Sequence, residues 1–240
     1  LSPLLDALPT KDLTAKDIIM QHTLYPYYTR FFSINRKKSA YMLALNGNRH
    51  AGQHIGIYQS SSMDARRLRY CPQCFDEDIA TYGEPYWHRL HQIPGIAVCP
   101  RHGCWLADTE ITLTGHRHNL LFPAMPDCHL LPTPDTTPTA AQRTFATLMQ
   151  KALTAPYDFC DGGGYRAIIK RALRNRGYAS VTGGRIYAAR IAEAVNVFYG
   201  NAFESVDSKE VYGVASNNRT VSVRKILQLA CFLNLSLSDL

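Results

Sequence analysis

The sequence predicts a mainly α-helical protein with a small unit of paired cysteine and histidine knuckles near its middle and helical segments on either side. Three observations predict this. Apolar residues recur at helical spacing in the first and last parts of the chain, punctuated by Gly and Pro. Two knuckles, Cys71-Pro72-Gln73-Cys74 and Cys99-Pro100-Arg101-His102, stand 24 residues apart. Strand-like patterning is confined to Ile111–Thr114 and Leu120–Phe122, which flank a polar stretch beginning at Gly115 and read as a short hairpin.

The first element opens at Thr14-Ala15-Lys16-Asp17, a capping-box pattern, and Ile18, Ile19 and Leu24 bury one side of the helix that follows. Pro26 is expected to end or kink it. The aromatic run Tyr25, Tyr27, Tyr28, Phe31 and Phe32 reads as core, and Arg36-Lys37-Lys38 as a solvated turn. Between the knuckles, Phe75–Thr81 reads as a helix ended by Gly83, and Pro85 is expected to open a second short helix. Asp76, Glu77 and Asp78 then fall in a first turn, where acids complement the helix dipole. His88 and His91 read as satisfied polar groups beside the knuckles. Pro123–Pro138, with five prolines and three threonines, reads as a linker.

From Ala140 the pattern is helical again. Phe145, Leu148, Met149 and Ala152 share a face and Pro156 stops the run. Gly162-Gly163-Gly164 precedes a helix from Tyr165 with Ile168, Ile169, Ala172 and Leu173 inward and Gly177 closing it. Ala188, Ile191, Val195 and Phe198 mark the next helix, closed by Gly200. Val223, Ile226, Leu227, Ala230 and Leu233 mark another, after which Ser236-Leu237-Ser238-Asp239 repeats a capping-box pattern. A helix, a turn and a fresh helix start read as helix-turn-helix, or as a plain helical hairpin. The expected division is 1–64, an N-terminal helical segment (a truncated helix-turn-helix domain); 65–126, the knuckle unit; 127–139, the linker; and 140–240, a C-terminal helical region for DNA or partner binding.

The knuckles carry the chemistry. Two tight pairs of soft ligands suit a tetrahedral zinc ion, and a two-residue spacer lets both members of a pair face one ion. Cys71, Cys74, Cys99 and His102 fill all four positions, so the predicted metal is structural and leaves no place for water or substrate. The unit is therefore a zinc ribbon or zinc finger, whose binding free energy of about 10 to 16 kcal/mol becomes folding energy. A second site built from His116 and His118 with Cys104 or Cys128 is the weaker metal reading. An odd total of seven cysteines with one Cys-x-x-Cys also favours metal over a disulfide framework in a reducing compartment.

Composition bounds the partners. The 240 residues are 46% hydrophobic and carry a net charge of +7, which favours an anionic partner, nucleic acid first. Between Gly162 and Ala192 the basic residues are Arg166, Lys170, Arg171, Arg174, Arg176, Arg185 and Arg190, along with a single acid-free stretch. Arg166, Lys170, Arg171 and Arg174 cluster opposite the apolar face of their helix, a placement suited to phosphates, with Arg185 and Arg190 nearby. No run of 18 apolar residues occurs, and Leu1-Ser2-Pro3-Leu4 lacks a signal-peptide layout, so a cytoplasmic, membrane-free protein is expected. The chain does not start with Met and stops where a helix begins, as a piece of a longer protein would.

The stretch Tyr82-Gly83-Glu84-Pro85-Tyr86-Trp87-His88-Arg89, with His91-Gln92 and Pro94-Gly95, set between Cys-Pro-x-Cys and Cys-Pro-x-His-Gly, resembles the TniQ/TnsD family. His22-Thr23-Leu24-Tyr25-Pro26 is similar to the family's "HTLfP" stretch, and Val223–Leu240 to its C-terminal helix-turn-helix segment. The family's usual opening helix has no counterpart here. The resemblance implies zinc at Cys71, Cys74, Cys99 and His102. It further implies a bacterial, non-enzymatic adaptor for target selection in transposition that recruits a TnsC-like AAA+ ATPase. Such proteins recognise an attachment site on double-stranded DNA or sit on a CRISPR Cascade–guide RNA complex, as one copy or as a dimer. The alternative is a zinc-ribbon transcription regulator. A zinc hydrolase or deaminase would need an open metal position and a general acid, and neither pattern is present.

Overall fold

The structure, a computed structural model, describes residues 2–7, 12–48, 50–56, 67–112, 133–182, 184–200, 205–216 and 221–240. Among these the chain forms helices α1 (Ser2–Ala7), α2 (Ala15–His22), α3 (Tyr25–Thr29), α4 (Ile34–Leu45) and α5 (Ala51–Ile55), then strand β1 (Arg67–Tyr70) and helix α6 (Pro72–Tyr82). Strand β2 (Ala107–Thr112) follows, then α7 (Ala140–Thr154), α8 (Tyr165–Asn175), α9 (Ala188–Tyr199), α10 (Ser208–Ser216) and α11 (Val223–Phe232). The fold is thus mainly helical with one two-stranded sheet. No helix among the described residues is long and apolar enough to cross a membrane.

The chain divides into two compact units, residues 1–60 with 151–240, and residues 61–150. In the first, the capping box at Thr14 forms as its sequence requires: the Asp17 amide donates to Thr14 Oγ1 at 3.2 Å and the Thr14 amide to Asp17 Oδ2 at 2.9 Å. Pro26 does not end a helix. It lies in the first turn of α3, where its missing N–H has no intrahelical partner to lose. The junction from α2 is made by Thr23, whose hydroxyl donates to the Ile19 carbonyl and accepts from the Tyr25 amide.

Ile19, Tyr25 and Ala40 form a core cluster, with Met20, Tyr41, Leu45 and Tyr157 packed against it. Residues distant in sequence therefore share one interior. Arg30 joins them by a second route, donating to the carbonyls of Ala152, Ala155 and Pro156 at 2.9 Å each, so a guanidinium completes the end of α7. The solvated turn expected at Arg36-Lys37-Lys38 is instead part of α4. Lys37 is buried, with Nζ donating to the Cys160 carbonyl at 2.9 Å and lying 5.2 Å from the Tyr157 ring centre. Burial lowers its pKa, opposed by Asp158. Gly162 packs so closely on this segment that an added Cβ would lie 2.6 Å from the Arg30 carbonyl oxygen.

The last four helices pack as a group, α10 touching α8, α9 and α11. Helix α10 has no expected counterpart. Arg176 is exposed, and its guanidinium donates to the carbonyls of Phe232 and Leu233, closing the end of α11. After α11 the chain turns through Asn234, at φ +54°, into the Ser236 capping box and a three-residue 3-10 turn at Leu237–Asp239. Only that single turn stands where a second helix of a helix-turn-helix would begin.

In the second unit β1 and β2 run antiparallel, pairing Arg69 with Asp108 and Tyr70 with Ala107. Gln92 extends this ladder with its side chain, accepting from the Arg69 amide at 3.1 Å and donating to the Arg69 carbonyl at 2.7 Å. The buried Arg69 guanidinium donates to the Ile96 carbonyl and, at 3.1 Å, to the Ile93 carbonyl. Buried cations are stable only when hydrogen-bonded in this way. Of the hairpin expected at residues 111–122, residues 113–122 lie outside the described residues, as do residues 127–132 of the linker, and Ile111 and Thr112 belong to β2.

Candidate metal centre

The two knuckles occupy different local structures that face each other. Cys71 leaves β1 and caps α6: its Sγ accepts from the Cys74 amide at 3.5 Å, and Pro72 fills the first helical position. Both cysteines of this knuckle thus sit on the first turn of one helix. The second knuckle is a tight turn. The Gly103 amide donates to the Cys99 carbonyl and the Cys99 amide to the Cys104 carbonyl, both at 2.8 Å, and Val98 bridges to Trp105. Gly103 takes φ +67°, the left-handed region where a side chain would be strained.

These turns bring the ligand atoms of Cys71, Cys74, Cys99 and His102 within 4.8 Å of one another. His102 Nδ1 lies 3.4, 3.3 and 3.7 Å from the sulfurs of Cys71, Cys74 and Cys99, and the Cys74 and Cys99 sulfurs are 3.8 Å apart. Metal–sulfur bonds of about 2.3 Å and metal–nitrogen bonds of about 2.0 Å in a tetrahedron separate ligand atoms by about 3.5 to 3.8 Å. The donor set and its spacing therefore fit a tetrahedral metal ion. The three cysteines are buried. Burial and the neighbouring Cys99 push Cys74 up to about 12, and the hydrogen bond to Cys71 and burial push Cys99 up.

The residues between the knuckles orient the ligands. Glu77 Oε1 accepts from His102 Nε2 at 3.0 Å, which leaves Nδ1 aimed at the sulfurs. Burial disfavours the charged imidazole, but Glu77 and Cys99 outweigh it and raise the His102 pKa. Arg101 Nη2 lies 3.0 Å from Glu77 Oε2 as an exposed ion pair. The three acids are not in a first turn, because α6 begins at Pro72 rather than Phe75. Glu77 is instead an orienting acceptor, and buried Asp78 accepts from His88 Nε2 at 2.8 Å. Pro85 likewise opens no helix; the helical turn here is a 3-10 segment, Arg89–Gln92.

His91 differs from the satisfied group expected. It is buried, its Nδ1 has no hydrogen-bond partner, and its Nε2 lies 3.9 Å from Cys74 Sγ. Burial, then His88 and Arg69, push its pKa down to about 3, so the ring is neutral. With its proton on Nε2 it is a weak donor to the Cys74 sulfur, and Nδ1 is the acceptor left over. Around these rings, Tyr86 stacks on His88 at 4.1 Å and Tyr82 meets Tyr86 edge-on, both tyrosines exposed. Glu77 and His91 were not legible as ligand-orienting residues, since only the turn geometry aims them at the knuckles.

The other expected site residues fall as follows. Cys104 lies beside the knuckles, its sulfur 3.4 Å from that of Cys71, while His116, His118 and Cys128 lie outside the described residues. On α8, Arg171 and Arg174 are exposed and Arg166 and Lys170 half-buried, with Arg166 over the Tyr165 ring at 4.7 Å. Arg185 and Arg190 are exposed, Arg190 lying 5.9 Å from the Tyr187 ring centre.

Comparison with known proteins adds two findings. Residues 5–106 match the TniQ family model, a span that runs from α1 through the second knuckle. The chain is also similar to the Escherichia coli "Transposon Tn7 transposition protein TnsD", 31% identical over 105 residues that cover 43% of this chain and 20% of that protein. The matched region thus spans about a fifth of that relative's length.

Proposed function

We propose that the chain, whose residues 5–106 match the TniQ family model and which is 31% identical to a TnsD protein over 105 residues, is a target-selection adaptor in DNA transposition whose central unit is built on one structural zinc ion. The observation that carries this reading is the coincidence of the family match with a closed set of three sulfurs and one imidazole. Zinc held by Cys71, Cys74, Cys99 and His102 supplies a fixed four-way junction rather than reactivity, because every coordination position is taken by protein. The chain's own residues do the remaining work: Glu77 fixes the His102 ring, and His91 fills the space beside Cys74.

The output of such an adaptor is binding. Double-stranded DNA engages the exposed cations of α8, Arg171 and Arg174, with Arg166, Lys170, Arg185 and Arg190 at its margins. A TnsC-like AAA+ ATPase is recruited to the marked site, and targeting runs either through DNA sequence or through a Cascade–guide RNA complex. Support for the DNA contact is the net charge of +7 and the exposure of Arg171 and Arg174 on one helix.

Reconstitution tests the proposal. The protein, an ATPase of the TnsC type and DNA are combined with and without a guide-RNA complex, and ATPase loading on DNA is measured. Loading that depends on this protein supports the adaptor reading, and loading unchanged by its omission refutes it. In the same assay, changing both Arg171 and Arg174 to Ala should reduce the slope of log affinity against log salt by about 1.8, the value for two lost phosphate contacts. An unchanged slope rejects their placement on DNA.

A further inference from the structure

A thiol outside the ligand set touches it. Cys104 Sγ lies 3.4 Å from Cys71 Sγ, closer than the 3.8 Å between the ligand sulfurs of Cys74 and Cys99. The register of the sheet makes this contact: Tyr70 pairs with Ala107, so Cys71, just after β1, and Cys104, just before β2, sit at the same end of the ladder. The second knuckle turn then fixes Cys104 through its carbonyl, which accepts from the Cys99 amide. Accessibility separates the two sulfurs. Cys71, Cys74 and Cys99 are buried, whereas Cys104 is half-buried and lines an open depression of about 320 Å³ with His102, Trp105, Thr136 and Arg143.

We propose that Cys104 and Cys71 form a peroxide-sensitive pair, Cys104 being the site of oxidation and Cys71 the resolving thiol, so that oxidation dismantles the metal site. The inference rests on the zinc reading above. The oxidant is hydrogen peroxide or an organic hydroperoxide small enough for the depression. The Cys104 sulfur attacks the peroxide, its S–O bond forms as the O–O bond breaks, and with hydrogen peroxide one water leaves, giving a sulfenic acid. The Cys71 thiolate then attacks that sulfur, the S–S bond forms and hydroxide departs. In sum, one thiolate, one thiol and one peroxide give one disulfide, one water and one hydroxide. Two electrons pass from the sulfurs to the peroxide. Closure removes Cys71 from the donor set and leaves Cys74, Cys99 and His102, one ligand short of a closed site.

The pair differs from an ordinary surface cysteine such as Cys160, which is exposed but has no thiol neighbour among the described residues. It also differs from the ligand cysteines, whose burial shields them from direct attack. Among the described cysteines, Cys104 alone combines access with contact to a ligand sulfur.

The test uses zinc-loaded protein treated with hydrogen peroxide. Zinc transfer to a chromophoric chelator is followed in parallel with non-reducing peptide mass mapping. Wild type should release zinc together with formation of a Cys71–Cys104 cross-linked peptide 2 Da lighter than its reduced pair, and a thiol reductant should restore binding. Cys104→Ser should bind zinc as wild type does and release it at least tenfold more slowly under peroxide. Equal release from Cys104→Ser, or a cross-link joining other cysteines, overturns the proposal. Protein that takes up no zinc before peroxide is added refutes the metal reading instead, and the two failures are told apart by the starting metal content.

Discussion

Replacing Glu77 by Leu isolates what the orienting carboxylate contributes to the metal site. Glu77 Oε1 is the acceptor for His102 Nε2 at 3.0 Å, and this bond fixes which ring nitrogen faces the sulfurs. Loss of such a partner costs about 10- to 100-fold in metal affinity, equivalent to about 1.4 to 2.7 kcal/mol. The Arg101 ion pair on the other carboxylate oxygen is a different matter. Its side chains are 63% and 43% exposed, so water screens it and it contributes less than about 1 kcal/mol. Glu77→Leu should therefore weaken zinc binding about 10- to 100-fold, Glu77→Gln by less because an acceptor oxygen remains, and Arg101→Ala by less than about fivefold. Competition against a chromophoric chelator at fixed pH measures all three. Equal affinity for Glu77→Leu and wild type, or a larger loss from Arg101→Ala than from Glu77→Leu, refutes an orienting role for Glu77.

Other perturbations probe the folding of each unit. Gly162→Ala places a Cβ 2.6 Å from the Arg30 carbonyl and 2.7 Å from Phe31 Cα, so backbone must move, and denaturant unfolding should show a loss of about 1 to 3 kcal/mol. Lys37→Met keeps the apolar stem but removes the ammonium donor to Cys160; a loss of about 1.5 to 3 kcal/mol is expected by the same measurement. The pH response should reverse with metal. Without it, Cys74 holds its proton more tightly when folded, so that contribution is fully present below about pH 9 and is lost as pH rises toward about 12. With zinc bound, protons compete for the thiolates and for His102, so stability falls as pH is lowered. Thermal melts of both forms across pH would show opposite slopes, and parallel slopes would contradict the ligand assignment.

What the sequence made legible follows from the range over which each signal acts. Capping at Thr14, the helix face of Phe145, Leu148, Met149 and Ala152, and the spacing of the knuckles are local, and each depends on residues a few positions apart. A single local signal misread its neighbourhood at Pro26 and Pro85, because a proline breaks one helix as readily as it opens another. Lys37 reads as solvated until Tyr157 and Cys160, over a hundred residues away, cover it. The pairing of β1 with β2 was hidden for a related reason: Arg67-Leu68-Arg69-Tyr70 carries two arginines, one of which is buried only because Ile93 and Ile96 offer it carbonyls. Arg176 belongs to the same class, a cation counted in the basic run of residues 162–192 that is used to close α11. Composition reports that charges exist, and only tertiary structure reports which are already paired.

In the proposed function, Cys71, Cys74, Cys99 and His102 together hold one zinc ion that builds the middle unit of a transposition adaptor. X-ray absorption spectroscopy at the zinc edge, joined to elemental analysis of the purified protein, tests it most directly. One zinc per chain is expected, bound by three sulfurs at about 2.3 Å and one nitrogen at about 2.0 Å, with Cys71→Ser lowering the sulfur count and unfolding the unit. A chain purified without metal, or a zinc carrying water or carboxylate oxygen in place of one of these ligands, would contradict it.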